Sequence, residues 1–286
     1  MTLYDRLAAA RAHLVAAGLP PADAAIDVDV IARAILGWDR ARVLGDGAEP
    51  VPPSLEPRFS EWIERRAARE PVAYIVGTRE FWGLEFRVTP DVLVPRPETE
   101  LVVEAALELL DRAGATSPRL ADIGTGSGCL AVSLAMERPS CTMTATDVSG
   151  AALAVAAENA RRHGVEARVR FVETSFLDGI EGPFDLIAAN PPYVKDGDGP
   201  ALARDVQHEP AVALFGGASG LRAVASTLDA AARTLAGGGW LVMEFGFGQE
   251  DDVRRLVAER PALRLDHVRT DLQQIPRVAI VERVGD

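Results

Sequence analysis

From Glu98 onward, the sequence alternates helix-forming segments with short apolar segments, and this alternation limits the fold more than any other feature. Apolar segments of strand length lie at 120–123, 142–146, 169–172, 186–189, 240–244, 263–269 and 278–284. Helical segments lie at 101–110, 129–136, 151–162, 221–235 and 251–259. Strands that alternate with helices predict an α/β fold, a mainly parallel sheet with helices on both faces. The last two strands have no helix between them, which indicates an antiparallel closing hairpin.

The N-terminal part of the chain has a different pattern and predicts a small helical bundle. Leu7 and Leu14 keep helical spacing, and the glycine and prolines at 18–21 end that run. A second helix is predicted at 22–36, and Ser54 is the expected N-cap of a third helix.

A β-hairpin is predicted next, because residues 80–88 alternate apolar and polar types on both sides of Gly83. We therefore divide the chain into a helical domain at 1–75, a hairpin linker at 76–97 and a large α/β domain at 98–286.

The charge balance argues against binding to nucleic acid. The chain has 30 Lys and Arg against 42 Asp and Glu, a net charge of −12, whereas phosphate backbones are bound through basic side chains. No apolar run reaches the roughly 18 residues of a membrane span, and the charged start does not resemble a signal peptide. Two cysteines are too few for a disulfide framework or a zinc site. We expect a cytoplasmic protein without a metal.

A glycine-rich turn follows the first strand of the large domain, where residues 122–128 read Asp-Ile-Gly-Thr-Gly-Ser-Gly. Glycines without Cβ atoms let a ligand approach the backbone N–H groups. The spacing differs from the dinucleotide fingerprint, and Asp122 would repel a pyrophosphate but attract an amino-acid ammonium group. A tight turn without a ligand is the alternative interpretation.

Asp147 ends the second strand, one strand–helix–strand unit after Asp122. An acidic side chain at this place can accept hydrogen bonds from both hydroxyls of a ribose. Helix capping by Asp147 or Ser149 is the alternative, and both roles can coexist.

The most specific motif is Asn190-Pro191-Pro192-Tyr193, which follows a strand directly. The two prolines have no N–H, so this stretch offers carbonyl acceptors without competing donors. Asn190 adds a side-chain oxygen and Tyr193 an aromatic face, a combination that can hold a planar NH₂ group. A rigid turn explains the prolines but not the residues that flank them.

Together these motifs resemble those of the class I amino-methyltransferases. Residues 94–100, Val-Pro-Arg-Pro-Glu-Thr-Glu, are similar to the signature of the release factor glutamine methyltransferases. Residues 74–77, Phe81 and 209–217 are similar to that family as well, so the resemblance covers nearly the whole chain.

The resemblance implies a seven-stranded class I methyltransferase fold that uses S-adenosylmethionine and releases S-adenosylhomocysteine. The residues implied for cofactor binding are Asp122, Gly124, Thr125, Gly126, Ser127, Gly128, Asp147, Phe176 and Asn190. Within this set, Asp147 would take the ribose and Phe176 would flank the adenine. The residues implied for substrate binding are Arg96, Asn190, Pro191, Pro192 and Tyr193, of which the last four are also expected to be catalytic.

The implied substrate is the glutamine in the Gly-Gly-Gln loop of bacterial peptide chain release factors, which the helical domain would recognise. We expect a monomer that binds no membrane and no nucleic acid directly. Methylation of a base amine in nucleic acid, methylation of a ribosomal protein glutamine and a non-catalytic regulator that binds S-adenosylmethionine are the alternatives. Two positions depart from the family pattern, Ser219 where Asp is common and Gln274 where Gly is usual.

Overall fold

The computed structural model describes residues 1–285, and they form two compact units. One unit comprises Met1–Thr78 together with Ala203–His208, and the other comprises Arg79–Leu202 with the chain from Glu209 onward. In the described part of the chain, no helix is long and apolar enough to cross a membrane.

The first unit is helical. Its helices are α1 (Leu3–Ala16), α2 (Pro21–Leu36), α3 (Arg40–Gly45), α4 (Arg58–Ala67) and α5 (Val72–Val76). The helix α1 begins with a capping box, in which Thr2 and Asp5 each bind the backbone N–H of the other. Apolar side chains from α1, α2 and α4 form the core, which confirms the predicted bundle.

The predicted N-cap at Ser54 is wrong, because α4 begins at Arg58. A helix capped by Ser54 would place Pro57 at its third position, and proline has no N–H for the cap to bind. Glu56 takes over this function, and its carboxylate accepts bonds from the N–H and the hydroxyl of Ser60 at 3.3 and 2.9 Å.

A buried arginine joins two distant parts of this unit. Arg66 of α4 donates to Asp27 of α2 at 2.5 Å and to Asp205 of the segment Ala203–His208 at 2.6 Å. Arg69 lies 3.1 Å from the same Asp205 carboxylate. The short segment therefore belongs to the helical unit through charge-assisted bonds.

The second unit begins at Arg79, within the hairpin of β1 (Thr78–Phe81) and β2 (Leu84–Arg87), and continues into a seven-stranded sheet. The strands of the sheet are β3 (Arg119–Ile123), β4 (Thr142–Asp147), β5 (Val169–Glu173), β6 (Phe184–Ala189), β7 (Leu235–Glu244), β8 (Leu263–Thr270) and β9 (Pro276–Arg283). They lie in the order β5-β4-β3-β6-β7-β9-β8. Only β9 runs antiparallel to its neighbours β7 and β8, so the predicted closing hairpin is confirmed.

Helices cover both faces of the sheet, as the alternation predicted. The helices of this unit are α6 (Glu100–Ala113), α7 (Cys129–Glu137), α8 (Gly150–Arg162), α9 (Ala211–Leu214), α10 (Arg222–Thr234) and α11 (Glu250–Ala258). One buried cluster contains side chains of α6, α7 and α8, and a second contains those of α10 and α11.

The register of β3, β4 and β6 aligns their carboxyl ends in one row. Ile123 of β3 pairs with Thr146 of β4 and with Ala189 of β6. Gly124, Asp147 and Asn190 each follow these residues directly, so all three leave the sheet at the same edge.

The turn between β8 and β9 contains one of the two departures from the family pattern. Gln274 has a φ of 62°, the left-handed region that favours glycine. Asp271 holds the turn in place, because its carboxylate accepts N–H bonds from Gln273 at 2.8 Å and from Ile275 at 3.0 Å. The glycine that is usual in the family at this position would adopt this φ without strain, whereas Gln274 adopts it at a cost.

We predict that Gln274→Gly stabilises the protein. Removing the Cβ relieves about 1–2 kcal/mol of left-handed strain, and the greater freedom of the unfolded chain offsets about 0.4–1 kcal/mol of it. The free energy of unfolding, measured by denaturant titration, should rise by roughly 0.5–1 kcal/mol. The neighbouring Gln273→Gly is the control, because Gln273 is equally exposed and lacks a positive φ. An equal gain in both variants would contradict the strain at Gln274.

Candidate active site

A cavity of about 690 Å³ opens at the carboxyl ends of β3, β4 and β6. The predicted site residues that line it are Arg96, Gly124, Thr125, Gly126, Ser127, Asp147, Phe176, Asn190, Pro191 and Pro192. Three other predicted residues, Asp122, Gly128 and Tyr193, are not among the lining residues. Motifs that are up to a hundred residues apart in the chain are therefore brought to one cavity.

The glycine loop is fixed to the neighbouring strand. The N–H groups of Gly124 and Thr125 both donate to the Thr146 carbonyl at 2.9 Å, and the N–H of Gly126 donates to Asp147 Oδ2 at 3.0 Å. Gly124 and Gly126 have φ values of 71° and 54°, which explains the glycines. Gly128 also has a positive φ, 81°, and a Cβ there would in addition lie 3.1 Å from the Cβ of Ala156 on α8.

Asp122 lies buried beneath this loop and supports it from below. Its Oδ2 accepts bonds from the Thr125 hydroxyl at 2.6 Å and from the Ala131 N–H at 3.1 Å. Its Oδ1 is buried without a hydrogen-bond partner among the described residues, an arrangement that suits a further donor or a cation. Burial raises the pKa of Asp122 to about 7, although both hydrogen bonds act in the opposite direction.

Asp147 supports the start of α8 and also lines the cavity. Its Oδ1 accepts from the Ser149 N–H at 2.9 Å, and Ser149 in turn caps α8 by accepting from the Ala152 N–H at 3.1 Å. Each carboxylate oxygen has a second lone pair, and Asp147 lines the cavity. Support of the loop and binding of a ligand can therefore coexist at this side chain.

Phe176 lines the same cavity as the glycine loop and has a strained backbone conformation. Its φ is 51°, and its carbonyl accepts a bond from the buried Thr146 hydroxyl at 2.6 Å. Strain of this kind persists where the surrounding structure imposes it, often at ligand sites. The geometry thus presents an aromatic side chain to the cavity.

The amide of Asn190 is held from one side. Its Nδ2 donates to the Thr99 hydroxyl at 3.1 Å, and that hydroxyl donates to Glu244 Oε2 at 2.6 Å. The Tyr193 hydroxyl donates to Glu244 Oε1 at 3.2 Å. Burial is the main reason why the pKa values of Glu244 and Tyr193 are both raised.

A second contact fixes the backbone of the same motif. Gln249 donates from Nε2 to the Tyr193 carbonyl at 3.0 Å, and its Oε1 accepts from the Gly246 N–H at 2.9 Å. A Cβ on Gly216 would lie 2.4 Å from the Pro192 carbonyl oxygen, so only glycine fits there. The motif is therefore packed tightly against the loops that follow it.

Arg96 also reaches the cavity in a fixed position. Its guanidinium lies 2.5 Å from Glu209, whose second oxygen accepts a bond from the Val94 N–H at 3.1 Å. Both partners belong to segments that the sequence analysis identified as family motifs.

Thr99, Glu244 and Gln249 have no role among the site residues predicted from the sequence. Glu244 could have been found, because it ends an apolar strand at the same sheet edge as Asp147 does. Thr99 and Gln249 give no comparable signal, because only the tertiary structure brings them to Asn190 and Tyr193.

Comparison with known proteins connects this site to a family. Residues 102–237 match the family model of the methyltransferase small domain, and residues 5–77 match that of the PrmC N-terminal domain. A release factor glutamine methyltransferase of Bradyrhizobium diazoefficiens is 41% identical over 92% of this chain and 89% of its own length. That of Deinococcus radiodurans is 39% identical over 100% of both chains. The crystal structure of a methyltransferase from Pyrococcus furiosus has a TM-score of 0.52 and 20% identity, covering 80% of this chain and 100% of its own, and it shares the fold.

We predict a pH-dependent stability that depends on Asp122. The folded protein favours protonated Asp122 because burial raises the pKa of this carboxyl from 3.8 to about 7, so stability is lost as the pH rises between those values. From about pH 5 to about pH 7, the free energy of unfolding should fall by roughly 2 kcal/mol more in the wild type than in Asp122→Asn. Denaturant titrations at several pH values measure the difference. The exposed Asp251→Asn is the control, and a pH dependence that Asp122→Asn shares with the wild type would contradict the assignment.

Proposed function

The chain belongs to the release factor glutamine methyltransferases, and we propose a function for each part of its site. The reaction is transfer of a methyl group from S-adenosylmethionine to an amide nitrogen, and the proposed acceptor is N5 of the glutamine in the Gly-Gly-Gln motif of peptide chain release factors. The observation that supports this acceptor best is Asn190. Because its nitrogen is bound to Thr99, the oxygen is the end available to an N–H donor in the cavity.

The cavity suits S-adenosylmethionine by the chemistry of its lining. Asp147 offers two acceptor oxygens for the ribose hydroxyls, and the Phe176 ring offers a flat apolar surface for the adenine. The glycine loop leaves room beside its backbone for the amino-acid part. Asp122 does not line the cavity, so its contact with the ammonium group stays a prediction, supported by the unpaired Oδ1 beneath the loop. When bound, S-adenosylmethionine supplies a methyl group already activated by a positively charged sulfur.

The protein has to orient a poor nucleophile. The lone pair of a carboxamide nitrogen is delocalised into its carbonyl group, so the reaction depends on position and on charge stabilisation. We propose that Asn190 Oδ1 and the Pro191 carbonyl accept the two N–H bonds of the substrate amide. This contact would direct the nitrogen toward the methyl group and stabilise the positive charge that develops on it.

The proposed stacking of Tyr193 on the substrate amide stays a prediction, because its ring is not among the groups that line the cavity. The contacts of Tyr193 with Glu244 and Gln249 support a second role, in which it fixes the backbone of the two prolines. We likewise propose that Arg96, held by Glu209, contacts the substrate.

We propose that the helical unit recognises the release factor as a folded protein. The match of residues 5–77 to the PrmC N-terminal domain supports a dedicated function for this part of the chain. We further propose that the enzyme acts as a monomer in the cytoplasm, where its substrate is found.

Mass spectrometry of an intact bacterial release factor, incubated with the protein and S-adenosylmethionine, tests the proposed reaction. We expect one added methyl group on the glutamine of the Gly-Gly-Gln motif, with much slower methylation of a short peptide of the same sequence. Methylation of a nucleic-acid base or of a ribosomal protein glutamine in place of the release factor would contradict the proposed substrate.

We predict that Asp147→Ala weakens binding of S-adenosylmethionine by about 1.5–3 kcal/mol, the range for hydrogen bonds to a charged group. Titration calorimetry measures the affinity. Ser149→Ala separates ribose binding from support of α8, because it removes the helix cap and leaves the Asp147 carboxylate. That control should lower stability by about 0.5–2 kcal/mol with little effect on affinity. Wild-type affinity in Asp147→Ala would remove Asp147 from the ribose role.

We predict that Asn190→Ala lowers the methyl-transfer rate by about 10²–10³, the effect of losing one preorganised polar group in an active site. The loss should appear in kcat more than in KM, because the contact strengthens as positive charge develops on the nitrogen. Single-turnover assays with a radiolabelled methyl donor and intact release factor measure the rate, and calorimetry should show nearly unchanged affinity for S-adenosylmethionine. Transfer at the wild-type rate would refute the role of Asn190 as an acceptor.

A further inference from the structure

Four side chains form one continuous line of hydrogen bonds next to the cavity. Asn190 donates to Thr99, Thr99 donates to Glu244, and Tyr193 donates to the other oxygen of Glu244. Thr99 and Glu244 are each only 2% exposed, so water does not compete for these bonds. The line joins a strand end, the loop before α6 and the Asn190 motif, which are far apart in the sequence.

The direction of each bond follows from the number of hydrogens. A threonine hydroxyl has one hydrogen, and a carboxylate can only accept. Because the hydroxyl of Thr99 lies 2.6 Å from Glu244 Oε2, its hydrogen is used there, and its oxygen can only accept from Asn190. The NH₂ end of the Asn190 amide must therefore face Thr99, and its oxygen is the end that remains for a ligand.

We propose that Glu244 and Thr99 are positioning residues that set the orientation of the Asn190 amide for catalysis. The Glu244 carboxylate orients the Thr99 hydroxyl, and the hydroxyl orients Asn190. The inference rests on the proposed function, because an acceptor oxygen at Asn190 matters only if an N–H group of a substrate binds there.

Protonation of Glu244 would remove this control. A neutral Glu244 can donate a hydrogen bond to the Thr99 oxygen. The Thr99 hydrogen is then free to bind Asn190 Oδ1, so the side-chain amide of Asn190 can rotate by half a turn. The NH₂ group would then face the cavity and could not accept a substrate N–H. The groups that act on Glu244 are its partners Thr99 and Tyr193 together with the charged side chains of Glu98 and Arg277.

The test compares Thr99→Val with Thr99→Ser. Valine keeps the shape and removes the hydroxyl, whereas serine keeps the hydroxyl. We expect Thr99→Val to lower kcat for release factor methylation about 10–100-fold, and Thr99→Ser to stay within about threefold of the wild type. KM and the affinity for S-adenosylmethionine should change less than about twofold in both variants.

Thr234→Val is the matched control for loss of a buried hydroxyl. Thr234 is 4% exposed and its hydroxyl binds the Ala230 carbonyl within α10, outside the set of residues that line the cavity. The kcat of Thr234→Val should equal that of the wild type. A kcat for Thr99→Val equal to that of the wild type, or an equal loss in Thr99→Ser, would overturn the inference.

The pH profile gives a readout that a purely structural role would not change. Since the reaction requires ionised Glu244, kcat of the wild type should fall as the pH drops through the raised pKa of this carboxyl. Glutamine cannot titrate, so Glu244→Gln should lose this acidic limb while its amide oxygen can still accept from Thr99. Retention of the same limb in Glu244→Gln would overturn the role of the carboxylate.

An NMR measurement distinguishes failure of this inference from failure of the proposed function. The side-chain NH₂ resonance of Asn190, assigned through its loss in Asn190→Ala, is followed by hydrogen exchange in the protein without substrate. The exchange should be slow in the wild type and in Thr99→Ser and fast in Thr99→Val. If the wild type does not methylate a release factor, the proposed function fails. The exchange rates still show whether Thr99 sets the orientation of the Asn190 amide. Equal exchange rates in all three proteins would overturn the positioning role of Thr99.

Discussion

Parallel pairing of β3 with β4 on one side and with β6 on the other determines where every group of the site can lie. In this register, Gly124, Asp147 and Asn190 are equivalent positions, each one residue beyond the last pairs that β3 forms with β4 and β6. A slip of β4 by one residue would send Asp147 to the opposite face, because side chains alternate along a strand. The buried clusters on both faces oppose such a slip. The apolar core of the sheet thus sets the distances between polar groups at its edge.

Two buried carboxyl groups of the site are costly to ionise. Asp122 and Glu244 are buried, and neither takes part in a salt bridge within residues 1–285. Both are held by hydroxyl or N–H donors, and their ionised forms cost free energy because burial removes them from water. A cationic ligand gains from this arrangement, because its charge offsets that cost where water is largely excluded. A sulfonium with an ammonium group suits the cavity better than a phosphate does.

Much of the fold could be predicted from the sequence, because strands and helices of this unit have strong periodic patterns and the glycine loop, Asp147 and Asn190 each follow a strand. Most of the predicted site residues line the cavity for the same reason. The prediction failed at Ser54, where a proline three residues later matters more than the capping preference. It gave no role to Thr99 or Gln249, because their contacts depend on tertiary packing. Glu244 was missed although its position at a strand end resembles that of Asp147.

The segment Ala203–His208 follows the Asn190 motif in the chain and yet belongs to the helical unit. Its Asp205 binds Arg66, a partner 139 residues earlier in the chain. During synthesis on a ribosome, at about 5–20 residues per second, roughly 7–28 s pass between the appearance of these two residues. Over that interval one of the two carboxylates that bind Arg66 is absent. The N-terminal unit can therefore complete its charge network only after most of the central sheet has been synthesised, which ties maturation of the unit translated first to the unit translated later.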